Sequence, residues 1–182
     1  MTRTTLVFAL SLALVGLAAW MLLKPTTAHA KALLKVGSAA PNFTLPSTAG
    51  TITLSNLLKA KGGQYGILVF YPMDNTPGCT VQLCSLRDAA ADLAQQHTFV
   101  IGLNPANVAS HAQFAKKQKY GFPLATDTDR SVAKAYGVGS MLGANSRTVV
   151  VVSPQGKVVF AEEGMPSPLE LLQAVENHRL KR

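Results

Sequence analysis

The only two cysteines of the 182-residue chain lie five positions apart in one stretch, FYPMDNTPGCTVQLCSLRD, from Phe70 to Asp88. A thiol can serve as nucleophile, redox centre or metal ligand, and spacing sorts these uses. Four intervening residues are too many for a Cys-x-x-Cys redox pair, and a structural zinc site would need a second pair of ligands. His97, His111 and His178 are widely spaced, form no ligand pattern, and each reads as a surface or packed helix residue. No metal or cofactor is expected.

Local signals put both cysteines on a helix. Thr76 is a suitable N-cap and Pro77 a favoured first helical residue, so Cys79 falls in the first turn. Unpaired backbone N–H groups and the positive end of the helix dipole stabilise an anion there, and a thiolate is one. At about 100° per residue, Leu83, Leu86, Ala90 and Leu93 fall within about 40° of Cys79, which therefore points to the core. Cys84 lies about 140° away, beside Asp88 and Gln95 on the polar face. The axial rise across five residues, about 7.5 Å, exceeds the roughly 7 Å between Cα atoms that a disulfide tolerates. The two sulfurs cannot bond while this helix is intact.

The elements that position this helix follow from pattern. YGILVFYP, bounded by Gly62-Gly63 and Pro72, reads as a strand buried on both faces, and Thr98–Pro105 as a second. Strand, helix, strand makes a parallel unit. Before it, Asn42–Leu45 and Thr51–Leu54 read as a hairpin across Ser-Thr-Ala-Gly. After it come a helix over ANVASHAQFAKKQKYG ended by Gly121, a short strand in FPLATDTD and a short helix in RSVAKAYG. A hairpin around Ser153-Pro154-Gln155-Gly156 and a C-terminal amphipathic helix close the chain. These elements imply an α/β domain with a mixed sheet flanked by helices.

The N-terminus carries one basic residue, an apolar run from Leu6 to Leu23 and an Ala28-His29-Ala30 boundary, which predicts an export signal over residues 1–30 cleaved after Ala30. The run is also just long enough to span a bilayer, so an uncleaved membrane anchor through residues 6–23 is the alternative. Residues 31–182 are then one domain in an extracytoplasmic, periplasmic compartment. The formal charge of +8 is scattered over Lys59, Lys61, Lys116, Lys117, Lys119 and the basic end after Arg179, without aromatic interleaving. That describes solvated faces rather than a nucleic-acid surface. Two cysteines in an exported chain ordinarily form a static disulfide. Here such a bond would abolish the helix at its own start, whereas a bond formed only after the first turns unwind fits both signals. On that reading Cys79 reacts and Cys84 resolves.

The segment FYPMDNTPGCTVQLC resembles the active-site segment of the peroxiredoxins, in particular the Q-type group that includes bacterioferritin comigratory protein. The family pattern Pro-x-x-x-Thr-x-x-Cys is met by Pro72, Thr76 and Cys79, and the group's resolving cysteine by Cys84. Gln82 stands where the group has Glu or Gln, Arg87-Asp88 follow the second cysteine, and RTVVVVSPQGKVVF is similar to the strand pair carrying the active-site arginine, here Arg147. The similarity runs from about Val36 to the last helix. One departure is the connection VGSMLGANS between Gly137 and Arg147, shorter than in many relatives and lacking their aromatic-rich insertion.

The resemblance implies a thioredoxin-like fold, a monomer, and a thiol peroxidase in which Cys79 attacks a hydroperoxide and Cys84 then closes a disulfide, reduced in turn by a thioredoxin-like protein. It implies that Arg147, the Thr76 hydroxyl and backbone N–H groups near Gly78 and Cys79 stabilise the leaving oxygen, that Pro72 shields the pocket, and that Gly78 and Gln82 contact substrate. An ordinary thiol is a few per cent ionised at pH 7, so full ionisation gains only about thirtyfold, and donors aimed at the O–O bond must supply the larger part. The rival readings are an exported thioredoxin-fold carrier of disulfides or metal, and a module that only keeps the fold. A carrier calls for Cys-x-x-Cys, or Cys-x-x-x-Cys with a later histidine, and this chain has neither spacing.

Overall fold

The computed structural model describes residues 32–181. The export segment and apolar span read from residues 1–30 lie outside the described residues. Among those described, no helix is long and apolar enough to cross a membrane.

An uninterrupted run of non-polar residues makes β3 (Tyr65–Phe70) the centre of the molecule, with every residue of the strand buried. It pairs in parallel with β4 (Thr98–Asn104), Ile67 beside Val100 and Val69 beside Gly102, and β4 pairs in parallel with β5 (Leu124–Thr126). On its other side β3 runs antiparallel to β8 (Thr148–Val152), which turns through Gly156 into β9 (Val158–Glu163). The N-terminal hairpin of β1 (Thr44–Ser47) and β2 (Gly50–Thr53) joins through a Ser47 to Ala125 pairing, completing the seven-stranded order β2-β1-β5-β4-β3-β8-β9. This is the mixed sheet that the pattern of elements implied.

The two faces of β3 face two cores. Leu68 and Phe70 meet Leu54 and Leu58 of α1 (Leu54–Lys59) and Tyr136 of α5 (Ser131–Tyr136). Tyr65, Ile67, Val69 and Tyr71 meet the helices of the other layer: α2 (Pro77–Asp88), α3 (Ala90–Gln95), α4 (Val108–Gln118) and α6 (Pro168–Leu180). The last of these begins with a full capping box between Ser167 and Glu170.

Three local expectations change. The helix from Pro77 is not continuous: Ala89 (φ −87°, ψ 10°) breaks it into α2 and α3, which leaves Ala90 exposed while Leu93 stays buried. The helix α4 ends at Gln118 because Lys119 takes the left-handed cap (φ 59°, ψ 42°), so Gly121 is not its stop. The Gly137–Arg147 connection contains a small hairpin of β6 (Ser140–Met141) and β7 (Ala144–Asn145), turned through Leu142 and Gly143 at positive φ. The helix α1 is a further element that the strand pattern around Thr51 did not show.

Gly137 is the closure point of the domain. It ends α5 at φ 76°, and a β-carbon there would overlap the carbonyl of Ala32, where the first described residues cross over the helix end. Gly137→Ala is expected to destabilise the fold by about 2–4 kcal/mol in urea titrations, and an unchanged midpoint would contradict this packing.

Candidate active site

The end of β3 delivers the chain to the site. Tyr71 is buried on the α2 side of the sheet, Pro72 is half-buried, and Asn75 takes the left-handed conformation (φ 59°) that turns the chain back toward Pro77. The helix α2 then opens with Cys79 at its third residue, 0% exposed and packed in the same core as Tyr71, Leu83, Leu86 and Val149. The core-facing orientation expected of Cys79 is the observed one.

Thr76 occupies the N-cap position with extended backbone, but its side chain makes no capping bond. Its hydroxyl instead donates to the Met73 carbonyl at 3.3 Å. The first-turn N–H groups of Gly78 and Cys79 are therefore not taken up by that side chain, and they remain positive ends directed at the site.

Arg147 reaches this turn from the start of β8. Its backbone carbonyl accepts from the Gly164 N–H at 2.9 Å, and its Nη1 donates to Gln82 Oε1 at 3.1 Å. A β-carbon on Gly78 would stand 2.7 Å from Arg147 Nη2, so the missing side chain of Gly78 is what lets the guanidinium lie against the first turn. Gln82 is buried, and its Nε2 also donates to the Gly164 carbonyl at 3.4 Å. Expected to contact substrate, Gln82 has both ends of its amide engaged within the protein, bracing Arg147 to α2. Pro72 lines a 320 Å³ cavity with Met73, Asn104, Pro105 and Leu142, so the β6–β7 hairpin of the short Gly137–Arg147 connection forms one wall beside Pro72.

Cys84 lies away from this group. Both cysteines are free, and Cys84 is half-buried rather than open to solvent, its Sγ near Gln118 and Tyr120 at the end of α4. Its expected neighbour Gln95 belongs to α3, past the break at Ala89. Burial, and next the hydrogen bond with Cys84, push the Tyr120 hydroxyl above the ordinary phenol range, so it stays protonated.

Beneath the loop is a polar cluster that the sequence reading missed. Asp74 is buried and accepts from the Tyr71 hydroxyl at 2.8 Å, Asn104 Nδ2 at 2.9 Å and the Ser110 hydroxyl at 2.6 Å. His111 Nδ1 lies 3.0 Å from Asp74 Oδ2 and donates to it, since a carboxylate can only accept. His111 is thus more than the packed helix residue expected of it. His97 is exposed, and His178 bonds the Tyr65 hydroxyl at 2.9 Å. These residues come from the carboxyl ends of β3 and β4 and the first turn of α4, where adjacent parallel strands of an α/β sheet collect their polar groups. That rule is the signal that could have found them.

Burial raises the Asp74 carboxyl, but hydrogen bonds from His111, Ser110 and Tyr71 outweigh it and hold it below the ordinary carboxylate range. A carboxyl depressed on folding contributes stability above its unfolded pKa of about 3.9 and loses it as pH falls through the folded value. Asp74→Asn is therefore expected to cost about 2–4 kcal/mol at pH 7. The cost should shrink as pH falls below about 4 in paired urea titrations, and a pH-independent cost would contradict the assignment.

Residues 36–161 match the AhpC/TSA family. A putative peroxiredoxin bcp of Coxiella burnetii is 34% identical over 132 residues, 69% of this chain and 85% of that one. The chloroplastic peroxiredoxin Q of Triticum aestivum is 37% identical over 148 residues, 78% of this chain and 66% of that one. Among solved structures, peroxidoxin BcpB of Mycobacterium tuberculosis superposes with a TM-score of 0.71 at 30% identity, covering 82% of this chain and 99% of that one. The bacterioferritin comigratory protein of Xanthomonas campestris, studied for alkyl peroxide reduction, gives a TM-score of 0.67 at 26% identity over 81% of this chain and 99% of that one. The fold is thus the thioredoxin-like one of these proteins, and the chain belongs to the AhpC/TSA family, in its peroxiredoxin Q and Bcp group of thiol peroxidases.

Proposed function

We propose that the peroxidase activity of this peroxiredoxin runs through Cys79 as the peroxidatic and Cys84 as the resolving cysteine. The observation that carries the reading is the Arg147 guanidinium lying against Gly78, one residue from the Cys79 thiol, and braced there by Gln82. A guanidinium stays charged and donates to two acceptors at once, which suits an O–O bond breaking beside it.

The Cys79 thiolate attacks one peroxide oxygen, the O–O bond breaks, and the leaving oxygen departs as an alcohol or water after taking a proton, leaving a sulfenic acid on Cys79. Arg147, the N–H groups of Gly78 and Cys79, and the Thr76 hydroxyl once it turns from the Met73 carbonyl stabilise the charge that builds on the leaving oxygen, the largest electrostatic contribution open to this site. Because the Cys79 thiol is fully buried, peroxide reaches it only as the residues packed around it open. The first turns of α2 then unwind, the Cys84 thiol attacks the sulfenic sulfur, water leaves, and a disulfide joins the two. A thioredoxin-like dithiol reduces that disulfide by exchange.

The substrates are hydrogen peroxide and organic hydroperoxides. The alkyl peroxide reduction studied in the Xanthomonas relative supports the organic class. The apolar N-terminal segment supports an extracytoplasmic location, soluble after cleavage or tethered through residues 6–23, and hence a reductant of the same compartment. With both cysteines of the cycle in one helix, a monomer suffices for turnover.

The unequal roles are tested by two variants in rapid mixing with hydrogen peroxide, followed by intact mass. Cys79→Ser is expected to lose at least a thousandfold in peroxide consumption, to the level of a free cysteine. Cys84→Ser should consume the first equivalent at the parent rate and then accumulate sulfinic acid. Parent-rate consumption by the first variant would sink the assignment, as would an intramolecular disulfide in the second.

A further inference from the structure

Cys84 has a built resting place. Its Sγ lies 3.8 Å from Gln118 Oε1 and 3.9 Å from the Tyr120 hydroxyl. Hydrogen bonds of sulfur are long and weak, so contacts of this kind orient a thiol without holding it tightly. Tyr120 is itself a fixed post. Its ring stands edge-on to Phe114 (centroids 5.2 Å apart, 89°) and stacks on Phe122 (5.2 Å, 18°). Its backbone N–H donates to the Ala115 carbonyl at 3.0 Å as the chain turns through left-handed Lys119. Arg87, nearly one turn beyond Cys84 on α2, donates to the Gln118 backbone carbonyl at 2.6 Å. Gln118 therefore holds α2 twice, with its side chain at Cys84 and with its backbone at Arg87.

We infer that Gln118 and Tyr120 form a cradle that retains the Cys84 thiol at rest and thereby slows disulfide formation, setting how much peroxide the protein tolerates before irreversible oxidation. The inference rests on the reading of Cys84 as the resolving cysteine. A sulfenic acid on Cys79 has two fates. In one, the Cys84 thiol attacks its sulfur, the S–O bond breaks, the S–S bond forms, and the oxygen leaves as water. In the other, a second peroxide transfers an oxygen to the same sulfur, giving a sulfinic acid and an alcohol or water. The first fate is independent of peroxide concentration, and the second rises with it. Only the first requires Cys84 to leave Gln118 and Tyr120. Stabilising the cradle lowers that rate alone and shifts the partition toward sulfinic acid.

Unwinding of the first helical turns would accompany any cysteine pair at this spacing, whereas the cradle is a property of two side chains at and just past the end of α4. Tyr120→Phe removes one hydroxyl and keeps the aromatic stack. Gln118→Leu removes the side-chain acceptor and keeps the backbone carbonyl that Arg87 uses. The reduced protein is mixed rapidly with hydrogen peroxide, quenched and alkylated, and its sulfenic, disulfide and sulfinic forms are counted by intact mass. Each variant is expected to form the disulfide about two- to fivefold faster, the size of one weak hydrogen bond in a rate. Sulfenic acid formation should be unchanged, and the peroxide dose for half-conversion to sulfinic acid should rise by the same factor. An unchanged or slower disulfide step in both variants would overturn the cradle. A parent that makes sulfenic acid but never an intramolecular disulfide would overturn the resolving reading beneath it, and that failure shows in the parent alone.

Discussion

One helix carries both thiols of the site on different sides, and the seating of its first turn against the sheet is the constraint on which the rest depends. Cys79, Leu83 and Leu86 are buried together under α2, and each buried leucine is worth about 1.5–3 kcal/mol. The two leucines hold the middle of the helix. The first turn is held less firmly, by Pro77 at its start and by Arg147 bridging through Gln82. Gly78, the second residue of α2, adds no side-chain packing to that turn and leaves its backbone freer than any other residue would. The same glycine gives Arg147 its seat. Access for the guanidinium and ease of unwinding thus come from one residue.

The loop feeding this helix is tied down by buried polar groups rather than by packing. Asp74 gathers donors from Tyr71, Asn104, Ser110 and His111, so the segment between β3 and α2 is bonded at once to the end of β4 and the start of α4. Burying a carboxylate is costly unless it is well hydrogen-bonded, and four partners meet that condition. At its far end α4 contacts α2 again through Gln118 and Tyr120. This helix therefore sets the position of the reactive loop with its first turn and of the resting Cys84 with its last.

Much of this was legible in the sequence where the signals are local. The apolar run of β3, the proline start of α2 and the direction of Cys79 need only the helical and strand periods. The Ser-Pro-Gln-Gly turn needs only its own residues. What was not legible depends on which element lies beside which. Asp74 and His111 are 37 positions apart, and only the parallel pairing of β3 with β4 brings them together. Cys84 read as a polar-face residue because nothing within its own helix announces Tyr120. The break at Ala89 is not announced by its own residue, since alanine favours helix; past it Leu93 is buried and Ala90 is exposed.

The central claim is that the two sulfurs are kept apart by an intact α2 and meet only when its first turns unwind. Hydrogen exchange, measured on the reduced and the peroxide-oxidised protein, tests it most directly. Amides from Thr80 to Leu86 should be protected in the reduced form and exchange far faster after oxidation, with β3 and β4 unchanged in both. A disulfide-bonded form that keeps the protection of α2 would contradict the account.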